Sequence, residues 1–483
     1  MVKGYTRNFK PLELLNEDQV KAIWNGTFEI LETTGVRVEH EKALELFESN
    51  GCKVDSAKKR VRIPAWLADE CIRKAPKSFL INARNPEASL RMGGDRTYFG
   101  QNASMSKVDI ETWEVAKSTL QEHADAVRVM DALDNLAFTL GYEYYMDMVD
   151  VPSVMVMAEG VASAVRNSTK ITSAGPSYDA EKYSLEIAKV AGTDIILEEA
   201  PSPPLTLPED FCKGTFSFAE ACMPMTMVSG SVMGGTGPAT FAGSAASNNA
   251  EVLAGLCLAQ LIKPGSKILA GDFVYPMNMG NGSPDFGAMG VGLHIAIHNQ
   301  LWRRYDIPTM SGQAAYSNSK KIDWQNGAEK SLMLFASALS GTNYLSIHGA
   351  VFGELTWHPV QAVVDDEICG WVGRFLEGIE VNDDTLALDL IHKVGPVPGH
   401  FLNTAHTREW WKYEQFTPST FDRTSIPEWI KQGKPDILFH AKQKVDRLVA
   451  EHRPEPPLSD DQNKEIDEIL KRARRNYKQK GLI

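Results

Sequence analysis

No two of the six cysteines in this chain are three positions apart; Cys52, Cys71, Cys212, Cys222, Cys257 and Cys369 are scattered singly. A disulfide framework and a cysteine-ligated zinc site both lack their spacing, and a reducing compartment is the natural expectation. No stretch approaches the roughly 20 uninterrupted apolar residues of a membrane span. The opening MVKGYTRNFKPLELLNEDQ lacks the apolar core of a signal peptide. The expected location is the cytoplasm, away from any membrane. Positive charge is short too, with 50 Lys and Arg against 62 Asp and Glu, a net charge of -12. Such a chain has no general electrostatic attraction for nucleic acid. Internal repeats and low-complexity segments are absent.

The familiar catalytic devices are missing as well. Gly230-Ser-Val-Met-Gly234-Gly235-Thr236 has the glycines of a phosphate loop but no lysine. His294 and His298 stand at helical i, i+4 spacing, but position 295 is isoleucine, where a zincin carries its glutamate. Both histidines are expected to be packing residues in an outer helix, and no tightly bound metal is expected. No G-x-S-x-G elbow occurs, and no cysteine has a histidine nearby in sequence. Acyl transfer and metal-assisted hydrolysis therefore lack their signatures.

What is present is a rhythm. From about Tyr98 to Gly378, short apolar or β-branched runs lead into Gly/Ser/Asn/Pro-rich loops, each followed by a helical pattern. The runs predict strands at Thr97–Gly100, Phe138–Tyr142, Lys170–Ala174, Pro204–Leu207, Thr226–Ser229, Lys267–Gly271, Pro308–Ser311 and Tyr344–Ile347. Eight βα units in succession point to an α/β protein built as a (β/α)8 TIM barrel over residues 96–380. No G-x-G-x-x-G opens any of the helices, so a dinucleotide site lacks its signature. Residues 1–95 alternate helical and strand-like pieces and predict an α+β cap. Residues 381–483 predict a C-terminal helical extension packed on the barrel. Its last helix, Asp460–Lys478, ends in basic residues that read as a solvated helix end or as a docking site for an acidic partner.

In a barrel the chemistry sits where the strands end. The loops there, among them GQNASMSK (100–107), SGSVMGGTGP (229–238), GDFVYPMNMGNGSPD (271–285) and HGAVFGELTWH (348–358), are rich in Gly, aromatics and Met and poor in charge. Glycine lets a large planar group approach the backbone. Aromatic faces suit a quaternary ammonium, at about 0.5–2 kcal/mol per face. Candidate cage residues are Tyr98, Phe99, Tyr142, Tyr144, Tyr145, Phe273, Tyr275, Phe352 and Trp357.

Longer stretches carry a resemblance. Asn249 through Gly265, Gly282-Ser-Pro-Asp285, Ser317 through Gln325, Asp365-Asp-Glu367, Gly399-His-Phe-Leu402, His406-Thr407 and Asp422-Arg423 through Trp429 together resemble the trimethylamine methyltransferase (MttB-like) family. Gly35-Val-Arg-Val and Ala75-Pro-Lys-Ser-Phe extend the likeness to the N-terminal part. Trimethylamine-specific members carry pyrrolysine, whereas all 483 residues here are ordinary. The chain therefore resembles the branch without pyrrolysine, which demethylates glycine betaine. The resemblance implies a TIM barrel, a quaternary amine as methyl donor, and the Co(I) corrinoid of a separate small protein as acceptor. It also leads us to expect a homo-oligomer.

The chemistry this implies needs no acid or base. A quaternary nitrogen already bears its charge and leaves as a neutral tertiary amine, so the enzyme's work is orientation and desolvation. A betaine carboxylate needs a donor, expected at His348 first, then Asn102, Gln313 or Lys320. Gly234, Gly235, Gly237, Gly280 and Gly282 are expected to line the approach for the corrinoid. The rival readings are a betaine-binding or sensing protein without turnover, and a lyase using His348 as base. Proline betaine and carnitine are the alternative substrates.

Overall fold

The computed structural model describes residues 4–101, 104–140 and 148–483. Eight strands run parallel: β1 (Arg96–Gln101), β2 (Leu136–Phe138), β3 (Thr172–Ala174), β4 (Ile195–Glu199), β5 (Met225–Ser229), β6 (Ile268–Asp272), β7 (Thr309–Ser311) and β8 (Tyr344–His348). They form one curled sheet in the order β2-β1-β8-β7-β6-β5-β4-β3. An isolated parallel bridge from Phe138 to Ile171 brings the two outermost strands together. There the Thr139 N–H donates to the Ile171 carbonyl at 2.8 Å.

Each strand is followed by one helix: α1 (Leu120–Asp131), α2 (Val156–Asn167), α3 (Ala180–Ala191), α4 (Glu209–Glu220), α5 (Phe241–Ile262), α6 (Met289–Arg303), α7 (Trp324–Ser340) and α8 (Pro359–Leu376). Seven expected strands overlap observed ones. The fourth is a correction. The run Ile195-Ile-Leu-Glu-Glu199 supplies β4, while Thr206–Leu207 leaves the sheet and pairs with Val36–Val38 of the N-terminal part. Two consecutive β-branched isoleucines suit a strand buried on both faces. The prolines at 201, 203 and 204 suit the loop that follows.

Strand alternation divides the side chains between two faces. Ile196, Leu269, Met310 and Tyr344 point into the curl, where Phe138 stacks on Tyr344 with ring centroids 3.7 Å apart. A Cβ at Gly100 would collide with the Phe138 ring, so glycine is what admits that ring. A hairpin of Phe79–Ile81 and Leu90–Met92 packs its apolar side chains against this inner core from the N-terminal ends of the strands. The foot of the curl is thereby plugged by apolar side chains.

Helix α5 has no polar stripe and is buried along most of its length, Asn248, Asn249, Glu251 and Gln260 included. The face that would otherwise meet water is covered by the N-terminal helices Glu17–Glu29 and Ala65–Lys74. Trp24 meets Trp302 of α6 edge-on at 5.3 Å. At the other end of the chain, Asp460–Gln479 lies on α2 and α3. Two of its basic side chains pair with the helices beneath, Arg472 with Glu186 and Arg474 with Glu159. Among the described residues no helix is long and apolar enough to cross a membrane.

Candidate functional site

The open ends of the strands converge on a cavity of about 550 Å³. Val228, Met310 and Ser346, from β5, β7 and β8, line its lower part, and Glu198 enters from β4. Phe273 and Tyr316 form an aromatic wall, and Met105 and Glu354 stand at the rim. Phe273 meets Tyr316 edge-on at 5.6 Å and Tyr275 at 5.2 Å, so its orientation is fixed by neighbouring rings. Glycine on either side admits it: a Cβ at Gly312 would lie 3.0 Å from the Phe273 ring, and one at Gly230 3.3 Å from it.

Glu198 is the charged group that points into this space from the sheet. Its Oε1 accepts from the Tyr344 hydroxyl at 3.0 Å and its Oε2 from Thr226 at 2.8 Å. Burial pushes its pKa up to about 7, against the pull of those two donors. At that value the carboxyl is about half ionised near pH 7, so its charge is sensitive to its surroundings. The next residue, Glu199, faces outward onto Gly214 of α4, and burial pushes its carboxyl well up, with Glu181 and Asp210 adding to the effect. Two adjacent carboxyls of one strand therefore lie in different environments.

The expected site residues separate into three groups. Phe273 lines the cavity, and Tyr275 backs it, fully buried among Phe273, Phe286 and Tyr316. Asn102, Tyr142, Tyr144 and Tyr145 lie outside the described residues. The others are placed elsewhere. Tyr98 packs at the plugged foot of the curl, where its hydroxyl accepts from the Arg91 N–H at 3.3 Å. Phe99 packs on the outer face of β1, with Tyr5. Phe352 already has the Lys320 ammonium over its ring at 4.6 Å. Trp357 is fully buried, its indole N–H donating to the His348 carbonyl at 2.9 Å. Gln313 donates to the Val274 carbonyl at 3.3 Å and accepts from Ser311 at 2.9 Å.

His348 points away from the cavity. A register irregularity in β8 after Ser346 turns it toward the helices, where Nδ1 meets the Gly100 carbonyl at 3.0 Å and Nε2 meets Asp366 Oδ1 at 3.2 Å. Both ring nitrogens are engaged and the ring is fully buried. This is the geometry of a structural tie between β8, β1 and α8. Its neighbours form a hub: Asp365 holds Lys330 at 2.7 Å and the Gly349 N–H at 2.8 Å. Glu367 accepts from the Ser419 N–H at 3.0 Å. The run Asp365-Asp-Glu367 thus fastens three separate parts of the fold to one turn of α8.

His294 and His298 of α6 are buried behind β6. The first meets Asp272 at 2.8 Å and the second the Ala270 carbonyl at 3.2 Å. Among the described residues no group of three or more His, Cys, Asp or Glu is arranged to hold a metal ion. Gly234, Gly235, Gly280 and Gly282 are exposed on the loops after β5 and β6, with Gly237 half-buried beside them.

The model of the family described as trimethylamine methyltransferase (MTTB) matches residues 1–478. The chain belongs to that family. A glycine betaine methyltransferase of Desulfitobacterium hafniense (strain Y51) is 32% identical over 455 residues, covering 91% of this chain and 93% of that protein. A trimethylamine methyltransferase MttB2 of Methanosarcina mazei is 30% identical, covering 97% of this chain and 96% of the relative. The MttB of Desulfitobacterium hafniense (strain DSM 10664 / DCB-2) is 28% identical over 91% and 90%. Among solved structures, the hydroxylamine complex of MtmB superposes with a TM-score of 0.53 at 12% identity, over 91% of this chain and 89% of that one. At that identity the likeness concerns the fold alone. The curated relatives named here are all methyltransferases, and the MttB-like member described here shares their length almost end to end.

The residues that sequence reasoning missed are Glu198, Tyr316, Met310 and Val228. Glu198 was hidden by the misplaced fourth strand. Tyr316 lies just beyond the short 3-10 turn Gln313–Ala315, where the loop after β7 doubles back.

Proposed function

We propose that this chain takes a methyl group from a quaternary amine, most specifically glycine betaine, and passes it to the Co(I) corrinoid of a partner protein, leaving dimethylglycine. The observation that carries this reading is the cavity at the strand ends, where the Phe273 and Tyr316 rings stand beside the Glu198 carboxyl. Family membership and the 32% identical glycine betaine methyltransferase support it. The Phe138–Ile171 bridge supports reading the curled sheet as a (β/α)8 barrel, with residues 1–95 as its cap and 381–483 as its extension.

An onium group has no proton to donate, so only diffuse contacts hold it. An aromatic face contributes about 0.5–2 kcal/mol, most where water is excluded. A carboxylate adds a Coulombic attraction that strengthens as the surroundings become less polar. Ser104 and Ser346 line the same cavity and supply hydroxyls for the substrate's carboxylate. These contacts aim one methyl outward. The C–N bond breaks with its electron pair kept on nitrogen, so no side chain has to move a proton.

The corrinoid of the partner, when bound, supplies the nucleophile that accepts the methyl group. The residues present suit a large planar group. Gly234 and Gly282 adopt positive φ, and a Cβ at Gly282 would meet no atom within 4 Å. The loops thus offer side-chain-free backbone beside the mouth. The test is incubation with glycine betaine and cob(I)alamin. Dimethylglycine forming in step with loss of the Co(I) absorbance supports the proposal. Betaine that binds and is recovered unchanged makes the chain a binding or sensing protein.

A further inference from the structure

At the foot of the curl, beside the apolar plug, lies a second hollow of about 380 Å³. Thr309, which opens β7, and Asn343, just ahead of β8, line it, so it sits at the end of the strands opposite the cavity. Three cations border it from separate parts of the chain: Arg7 from the N-terminal tail, Lys77 from the approach to the hairpin, and Arg303 from the last turn of α6. A Cβ built on Gly341 would stand 2.8 Å from Arg7 Nη1 and 3.3 Å from Arg303 Nη1. Two guanidinium groups thus converge on one point that glycine leaves free of side chain. Such like charges repel. Burial lowers the pKa of both groups, and Arg7 lowers that of Arg303 further against the pull of Glu13. Their carboxylate partners, Asp95 and Glu13, are largely exposed and meet the Nη2 atoms, Glu13 at 3.4 Å. Arg303 Nη1 gives one N–H to the Ser340 carbonyl at 2.7 Å. On the wall of the hollow, Thr309 Oγ1 and Asn299 Oδ1 are buried with no hydrogen-bond partner among the described residues. Buried polar atoms are normally paired.

We propose that this hollow binds a phosphate group, free or carried on a small ester. An oxyanion supplies the charge that two converging guanidinium groups lack, and its several acceptor oxygens suit donors arriving from different sides. Arg7, Arg303, Lys77 and the Thr309 hydroxyl are such donors. The Asn299 carbonyl oxygen asks for the reverse, a proton from the ligand. A phosphate near neutral pH still carries one over part of its titration, whereas a carboxylate has none. The volume exceeds what a single small ion fills and falls within the range of about 300–1,000 Å³ usual for small-molecule sites. A bound phosphate would tie the N-terminal tail, the hairpin and α6 to one another, so its occupancy is read as stability. The site lies away from the methyl-donor cavity and does not depend on which amine is demethylated.

The experiment is calorimetry and thermal unfolding of the full chain with inorganic phosphate, glycerol phosphate and acetate, each in chloride buffer at one fixed ionic strength. Both phosphates are expected to bind and to raise the unfolding temperature in a saturable way, and the tighter of the two tells a free phosphate from an ester. Acetate is expected to do neither. Arg303→Gln removes one converging guanidinium and should weaken phosphate roughly ten- to a hundredfold. Lys77→Ala, at an exposed position, should weaken it in the same direction and serves where Arg303→Gln fails to fold. Tetramethylammonium should leave phosphate affinity unchanged. No phosphate binding up to about 10 mM overturns the proposal. So does acetate binding as tightly as phosphate, affinity that neither variant changes, or phosphate displaced by tetramethylammonium.

Discussion

Tyr344 donates its hydroxyl proton to Glu198 at 3.0 Å, tying β8 to β4 inside the curl. The bond sits directly beneath the cavity and above the stacked rings of Phe138 and Tyr344. It joins the apolar core beneath the site to one of the carboxyls that line it.

The first prediction is a pH dependence. With the Glu198 pKa near 7 in the empty cavity, its ionised fraction falls about tenfold between pH 8 and pH 6. Tetramethylammonium, whose charge does not titrate, should bind about tenfold more weakly at pH 6 by calorimetry. In Glu198→Gln that slope should vanish. Stability moves in the opposite sense. A carboxyl whose pKa is raised by folding favours the folded state at low pH, and its contribution is lost as pH climbs from about 4.5 to about 7. Thermal unfolding of the ligand-free protein should show that decline, and Glu198→Gln should make it shallower, the remainder belonging to Glu199 and the other buried carboxyls whose pKa is raised.

Phe273→Ala should weaken tetramethylammonium binding by about 1–2 kcal/mol, roughly five- to thirtyfold, with little change in unfolding temperature. Trp357→Ala should do the reverse. Its indole is fully buried beneath Gly349, so truncation costs about 3–5 kcal/mol of stability. Calorimetry and thermal unfolding on the two variants separate these outcomes.

His348→Ala should lower stability and should weaken charged and neutral ligands to the same extent. The ring bridges Gly100 and Asp366, and its loss leaves a buried carboxylate short of a partner. A loss confined to carboxylate-bearing ligands would place the histidine in the substrate site after all.

Lys330→Met should be the most damaging change in the hub. Lys330 and Asp365 are both fully buried, and the substitution takes the ammonium partner away from the Asp365 carboxyl. Breaking such a pair costs about 3–5 kcal/mol. The double variant Lys330→Met, Asp365→Leu should recover part of that loss in denaturant unfolding.

The α/β rhythm was legible because strands buried on both faces read as short apolar runs, and seven of eight stood out between Gly- and Pro-rich loops. The fourth did not. Ile195–Glu199 ends in two carboxylates, and a charged strand end reads as a loop when the sequence does not show that one carboxyl meets Tyr344 and Thr226 while the other is buried against Gly214. That one displaced strand concealed Glu198. The aromatic content of the loops was visible, but which ring faces the cavity depends on turn geometry. Phe273 does, while Tyr98, one period down its strand, serves the plug at the foot. His348 ends a strand as expected, and the irregularity after Ser346 reverses the face it presents.

A quaternary amine and a tertiary amine are told apart as methyl donors by their rates with the same acceptor. Methyl transfer to cob(I)alamin is followed by the Co(I) absorbance with glycine betaine and with trimethylamine in parallel, on the same preparation. The account predicts that glycine betaine reacts faster and yields dimethylglycine, with Phe273→Ala slowing it. Faster reaction of trimethylamine than of every quaternary amine tested would contradict it.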